Sequence, residues 1–199
     1  MDNTLFAFFL FSVVASITPG PTNILILSNS YQFGLTKSWA LILGASIAAA
    51  IIVLVMGIGL GSLLKDYPLI KLIMAWGGAL WLTVVSWQLW SIDNDITKDD
   101  IKLCAGWKTG ALLQIVNPKT WIMALAVSGI FITGDATTIR VTVLSLIFML
   151  TAIPCLACWG LLGIGTHRLL TKPQHQRNFN RFLALILLIS VWWAVLVGG

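Results

Sequence analysis

Six apolar stretches, at about 4–28, 39–64, 69–90, 110–132, 141–164 and 180–198, alternate with polar connections along the chain. A helix needs roughly 20 apolar residues, rising about 1.5 Å each, to cross about 30 Å of hydrocarbon. Each stretch reaches that length or nearly does. None alternates apolar and polar residues at period two, and all are too long for barrel strands, so the pattern predicts helices. The expected fold class is an all-α integral membrane protein with six transmembrane helices, a single membrane domain over 1–199. Proline breaks two of them: the first at Pro19 and Pro21 in "TPGPTN", the fourth at Pro118 in "QIVNPK".

Composition narrows the picture. Hydrophobic residues make up 58% of the chain and charged residues 10%, with a mean hydropathy of +0.94. Soluble domains are about a quarter charged, so a soluble enzyme is excluded. The net charge of +5 could suggest nucleic acid. The basic residues sit singly in connections and form no patch, so no nucleic-acid partner is expected. They do set an orientation. Lys37, Lys98, Lys102, Lys108, Arg168, Lys172, Arg177 and Arg181 follow odd-numbered segments, against Lys65, Lys71 and Arg140 on the other side. The positive-inside rule then places the odd-numbered connections in the cytoplasm and both termini outside. Trp39, Trp76, Trp87, Trp90 and Trp107 lie near segment ends, as in an interfacial belt. The first stretch has no Lys or Arg ahead of it and runs past residue 25, so it reads as a retained helix and not a signal peptide.

Three crossings reverse direction, so two related three-helix halves would be inverted repeats. The expected division is 1–90 and 110–199, joined by a polar cytoplasmic linker at 91–109. The halves share little visible sequence, yet each opens with a broken helix. Paired breaks in corresponding helices point to a transporter's midplane site. By helical rise, both lie about 14 Å from the cytoplasmic end.

Candidate substrate-binding residues follow from the breaks: Thr18, Pro19, Gly20, Pro21, Thr22 and Asn23 on the first, Gln114, Asn117, Pro118 and Lys119 on the fourth. Proline removes an N–H and clashes with the preceding turn, and Gly20 adds backbone freedom. Carbonyls near Ile17 and Thr18 therefore lose partners. Thr18, Thr22 and Asn23 supply groups that bind a ligand or repair the backbone. Lys119 is the only charged residue deep inside a predicted span, Lys71 and Arg181 lying at the ends of theirs. It either lines a cavity, or the helix begins at Pro118 with Asn117 as N-cap and Lys119 snorkels to the surface. Residues 118–132 span only about 22 Å, too short to cross alone. A zwitterion suits the site: half-helix N-termini and Lys119 for a carboxylate, carbonyls near Thr18 with Asn23 or Gln114 for an ammonium.

"TPGPTN" near the end of the first helix, with "QIVNPK" opening the fourth, resembles the LysE/RhtB family of small bacterial amino-acid exporters over essentially the whole chain. "PTNILILSNS", followed by a turn at Gly34, is similar to the cysteine/O-acetylserine branch. Members often carry Asn or Asp where this chain has Thr22. The resemblance implies secondary active export of a small amino acid or derivative (cysteine/O-acetylserine, or another neutral or basic amino acid) across the bacterial inner membrane. Drive would come from an ion gradient, with no ATP, metal or other cofactor and no enzymatic reaction.

Other features fit packing. "CLAC" at Cys155 and Cys158 allows an alternative reading as a membrane-embedded thiol-redox protein, but two small residues three apart also let helices approach. A non-catalytic membrane scaffold is a third reading. Gly44 with Ala48, and Gly57 with Gly61, are pairs of small residues four apart, and such small-residue faces allow a homodimer. "GIGLG" follows no strand and lies in an apolar span, which argues against a phosphate loop. No Asp lies inside a span and the chain has no Glu, so a buried carboxylate for ion coupling is absent. Pro154, a third proline inside a span, reads equally as a hinge for alternating access or as a static kink of the fifth helix.

Overall fold

A computed structural model describes residues 3–60, 68–91, 105–132, 137–170 and 172–198. Gly61, Lys65, Lys98, Lys102, Cys104 and most of the 91–109 linker lie outside them. Every regular element among the described residues is helical: α1 (Asn3–Ile17), α2 (Pro21–Phe33), α3 (Leu35–Val55), a π-helical turn (Met56–Leu60), α4 (Pro68–Trp90), α5 (Trp107–Val116), α6 (Pro118–Ile130), α7 (Thr138–Leu169) and α8 (Pro173–Gly198). The predicted first and fourth segments are the bent pairs α1–α2 and α5–α6, turning by 57° and 66°. Among the described residues, α3 with its π-turn and α7 are each long and apolar enough to cross a membrane, and the two bent pairs raise that number to four.

Several boundaries move outward from their predicted positions. The first segment runs to Phe33, not 28, because the polar stretch Ser28–Ser30 is buried against other helices. Hydropathy reads such residues as an end; packing makes them an interior. The fifth helix spans 138–169 instead of 141–164 and the sixth begins at Pro173 instead of 180, in both cases through polar end turns. Gly34 ends α2 with φ 81°, a backbone glycine adopts readily, and its N–H caps the Ser30 carbonyl at 3.0 Å.

α2 is the axis of the packing. From Gly20 to Tyr31 every residue is buried except Leu25, which is half-buried. It lies against α3 and α7, while α1 packs on α7, and α4 pairs with α8. The α4–α8 pair is joined by Ser86 Oγ donating to the Ala184 carbonyl at 2.5 Å and Trp192 Nε1 to Thr83 Oγ1 at 3.1 Å. One apolar cluster joins Ile24, Leu41, Leu82, Leu113, Leu156 and Leu187. A second gathers Phe8, Val53, Met56, Val127, Phe131 and Phe148, with Phe8 and Phe131 edge-to-face at 5.1 Å. Polar groups on α2 need partners at this depth. Asn29 accepts from the Ala105 N–H (3.0 Å) and donates to Ser38 (2.8 Å), tying the approach to α5 onto α2 and α3. Large apolar side chains such as Phe6, Phe9, Val14, Leu80, Val84 and Trp87 point outward. A lipid environment accounts for that exposure.

α3 and α5 approach to backbone distance through reciprocal glycines. A Cβ on Gly44 would strike the Trp107 carbonyl, and one on Gly110 the Leu41 carbonyl and the Ala45 nitrogen. Gly78, Gly160 and Gly163 also face neighbouring helices, whereas Gly77 faces open space. Gly110→Ala is expected to cost about 1–3 kcal/mol through overpacking and to lower the thermal unfolding midpoint in detergent. Gly77→Ala, with room for its methyl, is expected to show no loss in the same measurement.

Candidate functional site

Pro19 and Pro21 have no N–H, so the carbonyls of Ala15 and Ile17 have no helical donor. Gly20 is extended (φ −170°, ψ 176°), which also takes the carbonyls of Ser16, Thr18 and Pro19 out of the ladder. Each finds a replacement. The Thr18 hydroxyl is shared between the carbonyls of Val14 (2.8 Å) and Ala15 (3.1 Å), Asn23 Nδ2 donates to Ser16 (2.8 Å) and Trp159 Nε1 of α7 to Ile17 (3.1 Å). The Lys119 ammonium of α6 donates to the Thr18 carbonyl (2.7 Å), to Thr18 Oγ1 (3.0 Å) and to the Pro19 carbonyl (3.5 Å). Side chains from three helices thus repair one break.

The second break is repaired more locally. Pro118 leaves the Gln114 carbonyl, which takes the Asn117 N–H at 3.4 Å. Trp121 Nε1 donates to the Ile115 carbonyl at 2.7 Å. Asn117 is the N-cap of α6, its side chain accepting the Lys119 N–H at 3.1 Å. This is half of the alternative raised for Lys119: α6 does begin at Pro118. α5 precedes it as the other half of a broken helix, however, and the Lys119 head group turns to the first break instead of the surface.

The breaks meet at Thr22. Its Oγ1 accepts from Gln114 Nε2 (3.2 Å) and Asn117 Nδ2 (3.3 Å), and Thr120 Oγ1 donates to Gln114 Oε1. Beside this network lies a cavity of about 30 Å³, room for a couple of water molecules. Thr22, Asn23, Gln114, Asn117 and Lys119 line it, with Ala45, Ala49, Met123, Phe148 and Leu156 as apolar walls. Of the other sequence candidates, Pro21 and Pro118 are buried behind the wall, and Thr18 and Pro19 lie on the exposed side of the break. Gly20 has a different reason from the one expected. Its extended φ is open to any residue, but a Cβ there would sit 3.0 Å from Lys119 Cδ and 3.2 Å from Nζ. The glycine leaves the Lys119 side chain close contact with the break.

Four polar contributors escaped the sequence reading: Ser16, Ser46, Thr120 and Trp159. Thr120 directly follows "NPK" and was within reach of the motif. Ser16 lies one turn before Gly20. Ser46 and Trp159 carry no local signal, because only the packing of α3 and α7 on α1–α2 brings them in. Cys155 is buried, its thiol on the Val13 carbonyl at 3.9 Å, while Cys158 is exposed. Among the described residues no group of three or more His, Cys, Asp or Glu is placed to hold a metal ion.

Lys119→Met strands the Thr18 and Pro19 carbonyls, and Trp159→Phe strands that of Ile17. Each is expected to cost about 1–3 kcal/mol, read as a lower unfolding midpoint in detergent, with Cys158→Ala unchanged.

Residues 13–192 match the family described as LysE type translocator. Curated relatives of similar length include cysteine/O-acetylserine efflux proteins of Escherichia coli O139:H28 (29% identical over 189 residues), E. coli K12 and Shigella flexneri serotype 5b (both 29% over 188 residues). Each alignment covers 92% of this chain and 93% of the relative. No solved structure matches the chain.

Proposed function

The chain belongs to the LysE family of translocators, and on that premise we propose that it exports a small amino acid or derivative, of the cysteine/O-acetylserine class, across the bacterial inner membrane. The substrate binds between the broken helices α1–α2 and α5–α6. One observation carries this reading: two helix breaks, remote in sequence, meet at a cavity lined by Thr22, Asn23, Gln114, Asn117 and Lys119. Unwound carbonyls and half-helix N-termini at one point are the equipment secondary transporters use for small charged ligands.

The carbonyls of Thr18 and Pro19 already hold a cation, the Lys119 ammonium. A substrate ammonium presents the same three N–H donors, so substrate and Lys119 compete for these oxygens. This replaces the simpler idea of Lys119 waiting for a carboxylate beside empty carbonyls. The architecture is read as six crossings in two inverted halves with both termini outside, supported by the two bent pairs and by the bias of Lys and Arg among connections. Drive comes from an ion gradient, without ATP.

Proteoliposomes preloaded with cysteine or O-acetylserine test the proposal. The wild-type protein is expected to release substrate when a pH gradient or membrane potential is imposed. Lys119→Ala and Asn23→Ala should lose release while remaining folded and inserted. A Cys155→Ala, Cys158→Ala double variant should retain it, which separates export from thiol-redox activity. Export at the wild-type rate by both Lys119→Ala and Asn23→Ala would sink the assignment of the site.

A further inference from the structure

Many hydroxyls in these helices are satisfied within their own helix. Ser12, Ser38, Thr83, Ser91, Thr142, Ser145 and Thr166 each donate to the carbonyl four residues back, at 2.7–3.0 Å. That back-bond is the ordinary way for a Ser or Thr to be satisfied inside an apolar helix. Ser16, near the end of α1, and Ser46, in the middle of α3, do otherwise. Ser46 is fully buried and Ser16 is 8% exposed, and both line the cavity between the breaks. Neither Oγ has a hydrogen-bond partner among the described residues; the buried Ser30 Oγ has none either, but it lies against Gly160 and does not line the cavity.

We infer that Ser16 and Ser46 form the subsite for the substrate's carboxylate, each donating its hydroxyl proton to it. The inference rests on the export reading above and gives that site its anion-binding half. The argument comes from which groups around the cavity are already engaged. Thr22 Oγ1 is taken by two amide donors, Gln114 Oε1 by Thr120, and Asn117 Oδ1 by the Lys119 N–H. Asn23 Nδ2 is spent on the Ser16 carbonyl, and the Lys119 ammonium on the first break. What remains is mainly donors, two serine hydroxyls and the second N–H of each of the Asn23, Gln114 and Asn117 amides, with Asn23 Oδ1 as an acceptor among them. A donor surplus selects an anion. Both α2 and α6 also begin at this cavity, with their positive dipole ends toward it.

An ammonium in the same place would meet the wrong sign of dipole and few open acceptors, while the carbonyls of the break suit it on the other side. The two serines and the break therefore divide a zwitterion between them. At about 30 Å³ the cavity is too small for a whole amino acid, so the loaded state is wider than the present one.

The test is binding to the purified full-length protein, comparing L-cysteine with cysteamine, the same molecule without its carboxylate. Ser16→Ala and Ser46→Ala are each expected to weaken L-cysteine binding by roughly ten- to a hundredfold, the usual loss for a hydrogen bond to a charged group. Cysteamine binding, weak in the wild type, should not change among the variants. Ser12→Ala and Ser145→Ala, which remove back-bonded hydroxyls away from the cavity, should bind L-cysteine normally. If an alanine variant fails to fold, Ser→Cys at the same position keeps the size with a weaker donor and should weaken L-cysteine in the same direction. Unchanged L-cysteine affinity in both Ser16→Ala and Ser46→Ala overturns the subsite and means that the hydroxyls hold only water. Equal losses for L-cysteine and cysteamine overturn it too, because the carboxylate is then not what they read. If the wild type binds neither L-cysteine nor O-acetylserine nor any other amino acid of a panel, the export reading falls and the subsite with it.

Discussion

A backbone carbonyl without a donor costs several kcal/mol in hydrocarbon, and the chain from Ala15 to Pro19 presents five in succession. Much of the structure is arranged around meeting that demand. The donors come from Thr18 and Asn23 nearby, from Trp159 on α7 and from Lys119 on α6. Three parts of the chain far apart in sequence must converge within hydrogen-bond range of one short segment. That convergence places α6 and α7 on the α1–α2 elbow, and α6 brings Gln114, Asn117 and Thr120 with it. The cavity is the space left inside this crossing.

The same requirement explains an otherwise odd distribution of polarity. α2 carries Thr22, Asn23, Ser28, Asn29 and Ser30 and is nearly all buried, whereas Phe6, Phe9 and Leu80 face outward. In water this would be inside-out. In lipid, apolar side chains lose nothing by facing acyl chains, and polar ones must pair with each other. Close approach by Gly44 and Gly110 then brings α3 and α5 together, which puts Ser46 on the cavity wall and lets Ala105 reach Asn29.

The helical segments and both breaks were legible in the sequence, because twenty-residue apolar runs and intrahelical prolines are local signals. So was the pairing of the breaks, which relied only on matching depth in antiparallel helices. Helix ends were less legible: Ser28 to Tyr31 and the polar end turns of α7 and α8 look like loops until their packing is known. Around the two breaks, the residues inside the motifs were legible and those outside them were not. Trp159 and Ser46 belong to apolar stretches with nothing to mark them, and their relevance is created by tertiary contact. Gly20 was identified for the wrong reason, since its backbone is ordinary and its missing Cβ is what matters. Thr22, which departs from the Asn or Asp common in the resembled family, is the acceptor joining the two breaks.

That the first break is repaired mainly by side chains, and only the second partly by backbone, bears on how such a site can work. A backbone ladder cannot release one bond without disturbing its neighbours. The Lys119 ammonium can leave the Thr18 and Pro19 carbonyls by rotating its own side chain, and a second ammonium arriving there restores the bonds it broke. The exchange trades charged hydrogen bonds for charged hydrogen bonds, so the net free-energy change is small even though each bond alone is strong. Under the proposed export reading, such a site would bind its ligand without burying an unpaired group in either state. The absence of a Cβ on Gly20 leaves room for the Lys119 side chain beside the break. The proline break is therefore stable because its carbonyls are all occupied, and exchangeable because the occupant at Thr18 and Pro19 is tethered by a flexible chain.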